Sequence, residues 1–168
     1  DDATRATAAE LAENCTINIY NSEGLLRTYQ GIGSVPSKMW LVAGDYRCDI
    51  LAGTESAASF TDKTYKGSQA FTITADRTTT VSVDCRVNNV VAAVVFNETI
   101  ADQFSDYSVM VGGELNAQSA LTFNATSAKE GFFTLAKGNT TLLWEFTGTH
   151  VKHGAFTKSG SIEDVEKG

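Results

Sequence analysis

Few residue types in this chain could do chemistry, and their spacing limits what that chemistry could be. His150 and His153 are the only histidines and stand three residues apart. On a helix they would share one face and could offer a metal two nitrogens. Gly148, Gly154 and the strand-period pattern around them argue instead for a loop, and a metal needs three or four converging ligands. Cys15, Cys48 and Cys85 are an odd number, so at most one disulfide can form. Strand alternation points each inward, where a free cysteine behaves as a small hydrophobe. Cys48 and Cys85 are expected to face a common core, and the pairing among the three is left open. A buried thiol cannot reach a loop histidine to act as a nucleophile. Asp45 with Asp49, and Asp102 with Asp106, could serve a glycosidase or a calcium ion, but turn and strand carboxylates facing solvent account for them more simply.

No Gly-x-Ser-x-Gly elbow, Walker loop or dinucleotide fingerprint occurs, and Gly31-Ile-Gly33-Ser34 lacks the following helix that would hold phosphate. No catalytic, cofactor-binding or metal residue is therefore assigned, and the expectation is a protein that is not an enzyme. Asn14, Asn97, Asn124 and Asn139 each head an Asn-x-Thr triplet, which in a threonine-rich chain arises by chance. Aromatic rings remain as possible ligand-stacking groups, namely Tyr29, Tyr65 and Tyr107. Trp40 and Trp144, in alternating segments, are expected in the core.

The elements that would position these residues are strands. The 168 residues are 42% hydrophobic and 20% charged, with 14 glycines and one proline, which favours many short strands joined by turns. The longest apolar run, Val90–Phe96, is far below the roughly 20 residues of a membrane span. A formal charge of −7, with no cluster among the 13 basic residues, argues against a nucleic-acid surface. The chain opens on Asp1-Asp2 without an initiator Met, which suggests a processed, exported product.

Residues 1–14 form a flexible N-terminal arm, since Leu11 alone cannot anchor the short helical stretch Ala8–Glu13. Cys15–Tyr20 alternates with Cys15, Ile17 and Ile19 inward, and Asn21–Gly24 turns it into Leu25–Tyr29. A hairpin about Ala43-Gly44-Asp45 brings Trp40 and Val42 onto the core face beside Tyr46, Cys48 and Ile50. Ala52–Ser59 reads as a loop, and Gly67–Thr74 and Thr78–Val87 as strands, the latter with Val81, Val83 and Cys85 on one face. These complete a first module of about seven strands over residues 15–88.

At Asn88-Asn89 composition shifts, for all five arginines precede it. A second module, residues 89–168, then begins with Val90–Phe96, buried on both faces. Asp102–Tyr107 is a connection or single helical turn. Strands follow at Ser108–Val111, Leu121–Asn124, Gly131–Leu135 and Thr140–Phe146. Gly148–Ser159 reads as a polar crossing, and the module is expected to lack its last strand, leaving an open edge beside Thr140–Phe146. The fold class is all-β, as two tandem immunoglobulin-like or transthyretin-like sandwich modules.

Cys15–Arg27, Val35-Pro36, Trp40–Tyr46, Tyr65–Gly67 with Phe71–Thr74, and Val83–Asn88 together resemble a domain-of-unknown-function family of Bacteroidetes cell-surface lipoproteins. That family is similar to fimbrillin-like proteins built from transthyretin-like sandwiches. The resemblance brings no catalytic residues or cofactors. It implies an exported, surface-exposed domain, held at the outer membrane through an N-terminal lipid anchor absent from this chain, with Asp1-Asp2 just after the anchor. The implied role is adhesion or fimbria-like assembly with other surface or fimbrial subunits. The alternative is a carbohydrate-binding module that captures glycans.

Overall fold

In the computed structural model, which describes residues 6–168, 46% of the described residues are strand and 8% helix. They form an all-β fold with three antiparallel sheets. It divides into two units: one runs up to Thr54 and resumes over Lys63–Asn88, and the other comprises Glu55–Asp62 and Asn89–Gly168. Asp1 and Asp2 lie outside the described residues.

The first unit opens with α1 (Ala8–Glu13), a formed helix within the expected flexible arm. Two things anchor it. Thr7 and Glu10 form a reciprocal capping box, the Thr7 amide donating to Glu10 Oε2 at 2.7 Å and the Glu10 amide to Thr7 Oγ1 at 3.2 Å. Leu11 packs against the core of this unit. Next come β1 (Cys15–Asn21) and β2 (Gly24–Gln30), a 3-10 turn at Ile32–Ser34, and β3 (Gly44–Ala52). A two-residue strand β4 (Ala58–Ser59) precedes β5 (Tyr65–Ile73) and β6 (Arg86–Val87). The sheet order is β2-β1-β3-β5-β6.

One face of this sheet is the core. Cys15, Ile17, Ile19, Cys48 and Ala52 are buried there, as the alternation of β1 and β3 requires. The other face is polar, with Thr72 Oγ1 donating to Asp45 at 2.8 Å, Ser68 Oγ to Asp49 at 2.6 Å, and Arg47 lying over the Tyr20 ring at 4.4 Å.

Two expectations fail in this unit. Thr78–Val87 is strand only at Arg86–Val87, because a ladder needs a partner edge in register and β5 supplies one only at Tyr65 and Lys66. Outside a ladder the alternation lapses. Val83 packs on the core, whereas Val81 and Cys85 are exposed. The inward placement of Cys85 is thus corrected, while that of Cys15 and Cys48 stands; all three thiols are free.

The hairpin about Gly44 does not form either. Residues 35–43 are irregular, and β3 begins at Gly44 with φ +154°, an angle that suits glycine. Val35 and Met39 pack on the core, and the Tyr46 hydroxyl donates to the Val42 carbonyl at 2.7 Å. Trp40 and Val42 point outward, with 91% and 82% of their surface exposed. Alternation was present, but shifted by one residue, and a shift of one exchanges the faces.

The second unit is a sandwich. Beyond β4 it contains β7 (Val90–Ala93), α2 (Ile100–Gln103), β8 (Phe104–Gly112), β9 (Ala120–Phe123), β10 (Glu130–Phe133), β11 (Leu142–His150) and β12 (Gly154–Ile162). A three-stranded sheet β4-β10-β7 and a four-stranded sheet β12-β11-β8-β9 share one core. Val90 and Phe133 enter it from the first, and Val111, Phe123 and Leu142 from the second. Phe60 meets Phe123 edge to face, with centroids 5.2 Å apart.

Three readings are corrected here. Ala52–Ser59 is not simply a loop of the first unit, since Ala58 and Ser59 pair with Phe133 and Phe132. The apolar run from Val90 forms an edge strand of four residues, and Val95 is 79% exposed. Gly148–Ser159 is a hairpin, not a crossing. β11 pairs with β12 from Leu142 to His150 and with β8 on its other side, so the edge expected beside Thr140–Phe146 is filled by this chain's own residues. Gly160 makes room there: a Cβ at Gly160 would lie 2.6 Å from the Trp144 ring.

Candidate functional site

The irregular segment 35–43 is the first candidate. Its backbone is pinned from within by Val35, Met39 and the bond from Tyr46, with the Tyr29 hydroxyl 4.0 Å from the Met39 sulfur. What it presents outward is an indole and an isopropyl group, Trp40 and Val42, flanked by the exposed cation Lys38. Exposed tryptophan is costly to leave in water, and buried at a contact it is the residue type that most often dominates binding energy. An exposed indole beside an apolar side chain and a cation is suited to recognition.

The second candidate is an open groove of about 610 Å³ in the second unit. Glu55, Ser56, Gly113, Glu114, Thr134 and Asn139 contribute to its lining. Asn139 Oδ1 is engaged by the Thr141 amide at 2.9 Å and Thr134 Oγ1 by Asn89 Nδ2 at 3.2 Å, which leaves the Asn139 amide nitrogen and the Thr134 hydroxyl proton for other acceptors. Two carboxylates complement them as acceptors. Such a lining suits a neutral ligand rich in hydroxyl groups and repels anions. A side chain at Gly113 would intrude, since a Cβ there comes 2.9 Å from Leu135 Cδ2.

The aromatic residues named from sequence do not gather. Tyr29 and Tyr65 are half-buried and pack on the core of the first unit, with Lys63 Nζ 5.9 Å from the Tyr65 ring. Tyr107 belongs to β8 of the second unit and meets Phe96 edge to face at 5.1 Å. Trp40, expected in the core from alternation, instead presents an exposed ring able to stack on a ligand. Its signal in the sequence was the neighbouring Met39, an apolar residue able to take the inward phase in its place.

The two histidines lie at the β11–β12 turn. Their rings stack at 4.7 Å between centroids with 26° between planes. Imidazole lone pairs lie in the ring plane, so two near-parallel stacked rings do not aim at one point about 2 Å from both, as a shared metal requires. Among the described residues no group of three or more His, Cys, Asp and Glu side chains is disposed to hold a metal ion.

Burial and the nearby Asp49 carboxylate push the Cys48 thiol up from its ordinary pKa. Partial desolvation, with Cys15 and Asp84 nearby, does the same for Cys85. Both thiols are therefore poor nucleophiles at neutral pH. Asp45 and Asp49 receive hydroxyl hydrogen bonds on the polar sheet face, as the solvent-facing reading expects.

A family model described as a domain of unknown function, DUF4493, matches residues 1–168. No curated protein and no solved structure matches the chain.

Proposed function

Because the chain belongs to the DUF4493 family of domains of unknown function, we propose a role built on recognition: a non-enzymatic, exported surface domain that adheres to, or assembles with, other protein subunits through segment 35–43. The observation that carries this reading is the 91% exposure of Trp40 on a backbone held from beneath. Charge supports it. Among the described residues the first unit has seven acidic and seven basic side chains, whereas the second has eleven acidic and five basic. The neutral unit can approach an acidic surface protein, including a copy of itself, without the repulsion the second unit would meet. Attachment to an outer membrane through a lipid on a preceding segment belongs to the same proposal and rests on the family resemblance of Cys15–Asn88.

Sedimentation over a concentration series, together with cross-linking to extracted surface proteins, tests the reading with wild type and Trp40→Ala. Association that Trp40→Ala abolishes supports it. Association unchanged by the substitution overturns it.

A second reading, glycan capture, is favoured by the hydroxyl-compatible lining of the 610 Å³ groove. A glycan array separates the two, for saturable sugar binding lost in Glu114→Ala and kept in Trp40→Ala would place function in the groove.

A further inference from the structure

The turn joining β11 to β12 is built on an unprotonated nitrogen. His150 Nδ1 accepts a hydrogen bond from the backbone amide of Lys152 at 3.1 Å, a role only a nitrogen without a proton can fill. The same ring is clamped on two other sides. His153 stacks on it at 4.7 Å, and Phe104 meets it edge to face at 5.1 Å with 80° between planes. Phe104 continues into a cluster with Phe146 at 5.2 Å and Phe156 at 5.5 Å. Gly148 makes space beneath, since a Cβ there would press on Phe104 at 3.3 Å and Tyr107 at 3.1 Å. The turn is tied at its start by the Val151 amide to the Gln103 carbonyl at 2.9 Å and closed by Gly154 at φ +77°.

From this geometry we propose that the β11–β12 turn is a proton-operated latch over the end of the Phe104–Phe146–Phe156 cluster. Imidazole is the side chain whose charge changes between about pH 5 and 8. When His150 takes a proton on Nδ1, the acceptor of the Lys152 amide becomes a donor and two N–H groups face each other. Protonation of His153 as well sets two cations in a stack. The charged groups on the surrounding elements are Asp102 on α2, Asp106 on β8, Glu145 on β11 and Lys158 on β12. Among the described residues, none of these carboxylates forms an ion pair with either imidazole. Acid therefore breaks the Lys152–His150 bond and loosens the turn where the His150 ring lies against Phe104.

The test is an NMR titration of the full chain from pH 8 to pH 5. It follows the His150 and His153 Cε1 protons, the Lys152 amide and the Phe104 ring. The expected result is that the Lys152 amide loses its hydrogen-bonded shift, and its protection relative to the intrinsic exchange rate, along the same curve as the His150 proton, with the Phe104 ring shifting in step. His150→Phe, which keeps an aromatic ring against Phe104, is expected to flatten the pH response of residues 150–154. A Lys152 amide and Phe104 ring that stay put while His150 titrates overturn the latch. So does a wild-type pH response in His150→Phe. The wild-type titration decides the matter even if the variant fails to fold.

Discussion

The two tryptophans show how little residue identity alone says about energetic role. Trp144 lies half-buried against the sandwich core, its ring over Gly160, whereas Trp40 stands in water. Trp40→Ala should therefore change the unfolding free energy by no more than about 0.5 kcal/mol, the range of surface substitutions. Phe133→Ala, at a fully buried ring, should cost about 3–5 kcal/mol. Urea unfolding of the two variants beside wild type checks both values. The thiols give a pH-dependent counterpart. Folding favours protonated Cys48 and Cys85, whose pKa values are raised. Their contribution is fully present below the unfolded thiol pKa, about 8.5, and is lost as pH rises through the folded values. Denaturant titrations at neutral and alkaline pH should show stability falling on the alkaline side, and less so in Cys48→Ala. Thiol titration should count three free groups in denaturant, with Cys85 reacting first in the native protein because it alone is exposed.

Elements are held by features of one or two residues. The six residues of α1 are too few for a stable isolated helix, and the capping box with Leu11 compensates. Thr7→Ala should cost about 1 kcal/mol locally, read as faster exchange of the Leu11 and Asn14 amides, which donate to Thr7 and Glu10 carbonyls. At the other end of the chain, β12 lies flush with β11 because Gly160 admits the Trp144 ring. Gly160→Val should displace that ring and cost about 1–3 kcal/mol, the usual range for overpacking. A thermal scan detects the loss, and a change in Trp144 emission locates it.

At the scale of the whole molecule, the charge of −7 is unevenly distributed, since the described part of the first unit is neutral and nearly all the excess acid lies in the second. Association through segment 35–43 should then be driven by apolar burial and be nearly indifferent to salt. Contact through the second unit would strengthen as salt screens its repulsion. Sedimentation at low and high sodium chloride distinguishes the two. A salt-strengthened association would move the contact away from Trp40.

Composition and alternation were enough to establish an all-β chain, the inward set Cys15, Ile17, Ile19 and Cys48, and the β1–β2 turn. These follow from local physics: side-chain period and turn chemistry. What only tertiary structure decided depended on partners distant in sequence. Residues 35–43 could place either Trp40 or Met39 inward, and the packing of Val35 and Met39 with the Tyr46 hydrogen bond chose Met39. Thr78–Cys85 has the composition of a strand, but the edge of β5 pairs only at Tyr65 and Lys66, so it is not one. Ala58-Ser59 joined the sandwich because Phe132 and Phe133 offered a ladder some 75 residues further on. The histidines, two residues of a polar stretch in one dimension, became a stack on Phe104 once β11 and β12 closed a hairpin. A hydrogen-bonded ladder is a property of two segments, and the pattern of one segment cannot state whether the other will be there.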